Sequence, residues 1–346
     1  MKIAMLAPIS WRTPPRHYGP WEYVTSLLTE ALVARGVDVT LFATADSITA
    51  ARLDAVVPTG YSEAEGLDAK VMEILHLANI FEKAGDFDII HNQADFMPLA
   101  FSRLIDTPMV TTIHGFSSSR ILPVFKRYED RVDYVAISHA DRRPGLRYAA
   151  TIHHGIPIED FPFDPEGGED LLFFGRMHPD KGAGAAIRAA KAAGRRLVMA
   201  GIVQDQGYWE REVAPFVDGD AVAYLGAVGG ESRMRALGRA RALLHLIDFD
   251  EPFGLSVIEA MACGTPVIAY RRGSMPELIE NGVTGFLVDS FDEAVAAIGR
   301  VEQINRAACR AAAEKRFSID TMVNSYLEVY RQIHRRGSAS VCDNPP

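Results

Sequence analysis

Asp250-Glu251-Pro252-Phe253-Gly254-Leu255-Ser256-Val257-Ile258-Glu259-Ala260-Met261-Ala262-Cys263-Gly264-Thr265-Pro266 decides how this chain is read. An apolar strand, Ala242-Leu243-Leu244-His245-Leu246-Ile247, leads into it. Pro252 and Gly254 break the strand pattern, and Leu255 to Cys263 then reads as a short helix closed by Gly264. The first N–H groups of a helix find no partner inside it, so the backbone at Gly254 and Leu255 offers a seat for an anion. Glu259 lies about one turn further in, where no cap is needed, and can accept from a hydroxyl beside that anion. Glu251 stays in the preceding loop. Two carboxylates eight residues apart, flanking an anion seat, suit a diphosphate with hydroxyl-bearing groups on both sides.

A second strand-to-helix turn carries the opposite charge. Phe173-Phe174-Gly175-Arg176-Met177-His178-Pro179-Asp180-Lys181-Gly182 places Arg176 and Lys181 five apart. Cations fixed beside a departing diphosphate stabilise the charge that grows as its bond breaks. Arginine brings a planar fork and lysine a point charge, a usual division around phosphate. Standing alone, this turn would equally suit a pair of solvated charges. With the Glu251–Glu259 segment downstream, a phosphate site explains both.

These two segments resemble the G-R-x4-K-G and E-x7-E signatures of retaining glycosyltransferases of family 4, which have the GT-B fold. The similarity continues through Val267-Ile268-Ala269-Tyr270, Pro276-Glu277 and Asn281-Gly282-Val283-Thr284-Gly285-Phe286-Leu287-Val288, and covers almost the whole chain. The resemblance implies an α/β protein of two doubly wound Rossmann-like domains facing a central cleft. It implies transfer of a hexose from a nucleotide sugar, UDP-glucose or GDP-mannose, to a hydroxyl acceptor with retention. In that scheme Arg176 and Lys181 hold the diphosphate, Gly254 and Leu255 offer backbone N–H groups, Glu259 takes the ribose and Glu251 contacts the donor sugar. Gly201 and Leu225 form the nucleobase wall.

The first half carries weaker matches. Pro14-Pro15-Arg16-His17-Tyr18-Gly19-Pro20-Trp21-Glu22 resembles the family's P-P-x-x-Y-G-G-x-E loop. Gly19 matches the first glycine, which lets backbone approach the donor. Pro20 replaces the second and suits the first turn of the following helix. Glu22 fits the acidic position, although the helix dipole alone favours an acid there, and it is expected to be structural. Met109-Val110-Thr111-Thr112-Ile113-His114-Gly115 resembles T-x-H-[GD], whose histidine faces the donor sugar. His91-Asn92-Gln93-Ala94-Asp95 is similar to another acceptor-side loop, where the family often has a histidine in place of Gln93. His153-His154-Gly155-Ile156 corresponds to an N-G-[IV] turn with His154 in the asparagine position. Neighbours on a strand point to opposite faces, so His153 and His154 are not expected to share a metal ion.

Strand-like and helix-like runs alternate from end to end, the pattern of parallel sheets covered on both faces. The first half is expected to hold strands Lys2–Ala7, Val37–Ala43, Asp88–Asn92, Met109–His114, Tyr134–Ser138 and Thr151–His154, with helices Trp21–Arg35 and Leu67–Lys83. The second restarts with Leu171–Phe174, Arg196–Ala200, Val222–Leu225, Ala242–Ile247, Pro266–Tyr270 and Phe286–Val288. The Pro- and Gly-rich run 155–168 is the expected linker. The resulting domains are an acceptor domain over 1–155 and a nucleotide-sugar domain over 156–316. A helix over 317–336 crosses back to the first domain, and 337–346 forms a disordered tail.

At 346 residues, 48% hydrophobic and 23% charged, the chain suits two soluble domains. A net charge of −9 argues against a nucleic-acid partner. Three cysteines, Cys263, Cys309 and Cys342, fit neither a disulfide framework nor a metal site, which points to the cytoplasm. Arg120–Tyr128 mixes basic and apolar residues, as in members that dock on anionic membranes. Pro123, Glu129, Asp130 and Asp133 favour a core-facing helix over such peripheral contact. Asp248-Phe249-Asp250 and Asp86-Phe87-Asp88 spell D-x-D, a Mg²⁺ or Mn²⁺ motif in the other large glycosyltransferase fold. Because Arg176 and Lys181 already supply positive charge, no metal and no cofactor is expected. The rival readings are a GT-B enzyme that hydrolyses, epimerises or phosphorolyses its substrate, and a non-catalytic sugar-nucleotide binder.

Overall fold

A computed structural model describes residues 1–116 and 118–342, which divide into two compact units, Met1–Gly155 with Ile319 onward, and Ile156–Ser318. In unit 1, strands β1 (Lys2–Leu6), β2 (Asp38–Phe42), β3 (Arg52–Asp54), β4 (Ile89–Asn92), β5 (Met109–Ile113), β6 (Val132–Ala136) and β7 (Ala150–Thr151) form one sheet. Its order is β3-β2-β1-β4-β5-β6-β7, and every pairing is parallel. Helices α1 (Pro20–Ala34), α2 (Ala69–Glu82) and α3 (Leu122–Tyr128) join the strands. Burial on both faces explains the apolar run Ile3–Leu6 of β1, while β4 and β5 bury His91, Asn92, Thr111 and Thr112 among their apolar residues.

Two strand readings need correction. β6 pairs with β5 through Met109↔Val132 and ends at Ala136, two residues before the expected Ser138. β7 stops at Thr151, so His153 and His154 lie beyond the strand, and the alternation argument does not apply to them. β3 was not anticipated.

The last helix, Ile319–Cys342, belongs to unit 1. Its stripe of Met322, Val323, Tyr326, Val329, Tyr330 and Ile333 is buried at helical spacing, and each large side chain contributes about 1.5–3 kcal/mol. Arg35 at the end of α1 pairs with Asp320 at its start. The helix runs through the first part of the stretch expected as a disordered tail; residues 343–346 lie outside the described residues. In α3, Phe125 enters the core while Lys126 pairs with Glu129 at 3.1 Å, the core-facing arrangement expected of that segment. Among the described residues, no helix is long and apolar enough to cross a membrane.

Unit 2 repeats the plan. Strands β8 (Leu171–Phe174), β9 (Leu197–Ala200), β10 (Val222–Tyr224), β11 (Ala242–His245), β12 (Val267–Tyr270) and β13 (Gly285–Val288) lie in the order β10-β9-β8-β11-β12-β13, all parallel. The helices are α4 (Ala183–Ala192), α5 (Gln206–Tyr208), α6 (Gly230–Arg239), α7 (Leu255–Ala262), α8 (Met275–Leu278), α9 (Phe291–Ile298) and α10 (Arg306–Phe317), after which Ile319–Cys342 counts as α11. In each sheet the chain winds outward both ways from an adjacent pair, β1 and β4 or β8 and β11. The loops after such a pair part to opposite faces and leave a crevice for ligands.

The Pro- and Gly-rich run after Gly155 is packed rather than free. Ile156, Ile158 and Phe161 are buried, and Ile156 N–H donates to Phe317 O at 2.9 Å. Arg306 clamps this entry: its guanidinium donates to Asp164 O (2.7 Å), Ala240 O (2.9 Å), Gly238 O (2.6 Å) and Thr265 Oγ1 (3.0 Å). Cys263 and Cys309 are buried free thiols, each pushed up to about 12 by burial. Arg306→Met strands four acceptors at once and is expected to lower stability by about 2–4 kcal/mol, read from the denaturation midpoint. An unchanged midpoint would remove the clamp.

Candidate active site

In unit 2 the predicted residues gather where β8 and β11 end. Arg176 follows β8, and a 3₁₀ turn, Pro179–Lys181, carries the chain to Lys181. Gly182 then turns left-handed (φ 74°) to start α4, and a Cβ there would sit 2.1 Å from Leu246 O, just past β11. Only glycine permits that approach. The result brings Lys181 Nζ to 2.5 Å from Glu251 Oε2, with Lys181 also 4.9 Å from the centre of the Phe249 ring. Glu251 is pinned from behind: Ser274 N–H donates to its carbonyl at 3.0 Å, and Gly273 (φ 52°) leaves room for it. Arg176 Nη1 donates to Gln204 Oε1.

Gly254 caps α7 with φ 110° and no side-chain cap, so Leu255 begins a helix whose first N–H groups lack a side-chain partner. Glu259 is fully buried on α7, and Arg233 of α6 pairs with its Oε1. Its Oε2 is buried without a hydrogen-bond partner among the described residues. Burial raises the carboxyl above its ordinary range, and Arg233 opposes that shift. Gly201, at φ 143°, presses against Gly175, and Leu225 is half exposed at the end of β10. Asp248 and Asp250, the second D-x-D, both pair with Arg272, at 3.6 Å for Asp250. Asp88, of the other, accepts from Lys2 N–H at 2.7 Å. Among the described residues, no group of three His, Cys, Asp or Glu is placed to hold a metal ion.

In unit 1 the ends of β1, β4 and β5 carry the predicted residues. Gly19 (φ 147°) precedes α1, and its Cβ would fall 2.9 Å from Glu22 Oε2. Glu22 is buried and accepts from Trp11 N–H at 3.2 Å, fixing the loop after β1. Burial raises its carboxyl from the usual 4.5 to about 7. His114 lies just beyond β5 with its ring stacked on Trp21 at 5.3 Å and beside His154, also at 5.3 Å. Its Nε2 bonds Gln93 Oε1 at 2.6 Å, and its Nδ1 is buried with no partner among the described residues. Burial brings the ring down to about 3, so it is neutral at physiological pH.

Sequence reasoning missed Arg233, Gln204 and the Trp21 stack, because each arises from chain-distant packing. A cavity of about 540 Å³ is lined by Gly182, Gly184, Arg188, Tyr208, Tyr270 and Arg271 among others. A second, of about 440 Å³, is mostly apolar and includes Leu225. Neither includes Arg176, Lys181, Glu251 or Glu259. The larger is hollow by shape, whereas the charged edge has the chemistry, so we place the site by the latter.

Two family models account for most of the chain. Glycosyl transferases group 1 matches residues 158–316, and Glycosyltransferase Family 4 matches 22–160. This chain belongs to glycosyltransferase family 4. D-inositol 3-phosphate glycosyltransferase of Saccharomonospora viridis is 30% identical to this family 4 chain over 212 residues, 55% of this chain and 47% of that protein. The chain spans about half the length of the curated relatives it matches. Sucrose-phosphate synthase from Thermosynechococcus elongatus shares 20% identity at a TM-score of 0.79, over 97% of this chain and all of that one. Anabaena Alr3699/HepE in complex with UDP-glucose shares 19% at 0.72, over 98% of this chain and 100% of that one. With two doubly wound Rossmann-like units, the family 4 chain has the GT-B fold.

The Glu22 carboxyl sets a pH dependence whose sign is fixed. Its folded pKa, about 7, lies above the unfolded 4.5, so its contribution is fully present below 4.5 and is lost as pH rises through 7. Glu22→Gln cannot ionise. Relative to it, the wild type should lose on the order of 3 kcal/mol between pH 4.5 and 8, measured by denaturant unfolding. Parallel stability curves would contradict the burial of an ionisable acid there.

Proposed function

We propose that this protein is a retaining, metal-independent glycosyltransferase that moves a hexose from a nucleotide sugar to a hydroxyl acceptor. One observation carries the reading: Lys181 and Glu251 meet at 2.5 Å at the C-terminal edge of β8 and β11, where Arg176 follows β8 and α7 starts without a side-chain cap. A cation for phosphate, an acid for sugar hydroxyls and a free helix start form a donor site. Glu259 Oε2, without a hydrogen-bond partner among the described residues, is the acceptor for a ribose hydroxyl. Gly201 and Leu225 flank the base. Family likeness leaves a UDP- or a GDP-sugar; the Anabaena neighbour, solved with UDP-glucose, supports a UDP-sugar.

The reaction breaks the bond between the anomeric carbon and the diphosphate oxygen, and its electron pair stays on that oxygen. The acceptor hydroxyl attacks from the same face and gives its proton to the departing phosphate. Arg176 and Lys181 stabilise the charge that gathers there. Glu251 orients the sugar without acting as a covalent nucleophile, and His114 offers Nδ1 to a substrate hydroxyl. Since side-chain cations neutralise the phosphates, no metal is needed, and the Asp248 and Asp250 carboxylates are engaged by Arg272.

Lys181→Ala is expected to lower kcat by about 10²–10³, the scale for removing one preorganised charge. A loss under threefold would take Lys181 out of the site. Incubation with a donor panel, read by mass spectrometry with and without chelator, should show acceptor-dependent nucleoside diphosphate release that the chelator leaves intact. Acceptor-independent release would mean hydrolysis. Activity abolished by chelator and restored by Mn²⁺ would overturn the metal-independent mechanism.

A further inference from the structure

Behind His114 runs a buried chain of polar side chains. Gln93 joins His114 Nε2 through Oε1 at 2.6 Å and His91 Nε2 through its own Nε2 at 3.0 Å. His91 Nδ1 meets the Tyr330 hydroxyl at 2.6 Å, and His91 Nε2 meets Thr112 Oγ1 at 2.8 Å. Thr112 Oγ1 in turn lies 2.8 Å from the Tyr326 hydroxyl. All of these residues are buried, Gln93 and His91 almost completely, and Tyr326 and Tyr330 come from α11.

The directions of these bonds follow from what each atom can give. The Gln93 amide nitrogen also faces Met5 Sδ at 3.8 Å, where an N–H can donate weakly and a carbonyl oxygen would find no donor. The amide oxygen therefore faces His114, which must supply the proton from Nε2. The Gln93 nitrogen lies 3.0 Å from His91 Nε2 and 3.5 Å from His91 Nδ1, over the face of that ring, where an N–H group is accommodated. His91 Nδ1 pairs with the Tyr330 hydroxyl and its Nε2 with Thr112 Oγ1, which also meets the Tyr326 hydroxyl. Reversing the amide would move the His114 proton to Nδ1, which has no partner among the described residues. Trp21 and His154 pack against the His114 ring, so it cannot turn to escape.

We propose that Gln93 is a positioning residue that holds His114 as the Nε2–H tautomer and leaves Nδ1 as a bare acceptor for a substrate hydroxyl. Tyr330 and Tyr326 of α11 hold the His91 ring against which the Gln93 nitrogen rests. Both rings stay neutral at working pH, His91 because complete burial brings it down to about 3. The inference rests on the reading of His114 as a substrate contact.

Long-range ¹⁵N–¹H NMR of the imidazole tests it in the wild type without turnover. The expected result is a protonated Nε2 and a bare Nδ1; an Nδ1–H ring overturns the proposal. Gln93→Met removes the acceptor, and kcat should fall about tenfold, the scale of one hydrogen bond, with donor KM within twofold. Gln93→Glu keeps an acceptor at Nε2 and should recover the tautomer and most of kcat. Wild-type kcat in Gln93→Met, or equal losses in both variants, would sink the role. Absence of any sugar transfer by the wild type would instead count against the proposed function alone, since the NMR result stands apart from it.

Discussion

The Lys181–Glu251 contact is the constraint around which unit 2 is arranged. Two opposite charges are held 2.5 Å apart, each more than four-fifths withdrawn from water. Such a pair gives little net stability, because desolvation offsets much of the attraction. What it supplies is position. Gly182 lets the lysine turn press on the end of β11, and Gly273 makes room for the loop bearing Glu251. Neither approach tolerates a Cβ. Of the strands on which these turns rest, β11 is buried throughout and β8 up to Phe173, so the charged edge stands on a rigid floor.

Unit 1 solves a different problem. At the ends of β1, β4 and β5 stand buried neutral rings: His76, His91, His114 and His154 are all depressed below their ordinary range by burial. A chain of buried hydrogen bonds defines this region, where unit 2 uses formal charge. Asp95, in the left-handed region at φ 61° and raised to about 6 by burial, continues the loop that carries Gln93.

Much of this was legible in the sequence. Parallel strands buried on both faces leave continuous apolar runs, so β8, β12 and the Ile3–Leu6 part of β1 could be read directly. β3 could not: Arg52-Leu53-Asp54 is a short edge strand with a single apolar residue. Arg176, Lys181, Glu251 and Glu259 were legible because local turn and helix chemistry places each. The Glu259 partner was not, since Arg233 stands 26 residues away and only the packing of α6 on α7 brings it in. The same holds for Gln93, whose partners His91, His114 and, through His91, Tyr330 span 239 residues of chain. Turn chemistry is local and readable, whereas long-range polar networks are assembled by the fold.

A crystal structure with an intact nucleotide sugar bound tests the central claim most directly. The account predicts phosphate oxygens at about 3 Å from Lys181 Nζ and the Arg176 guanidinium, with a ribose hydroxyl on Glu259 Oε2. Phosphates lodged instead in the cavity of Arg188 and Arg271, out of reach of Lys181, would contradict it.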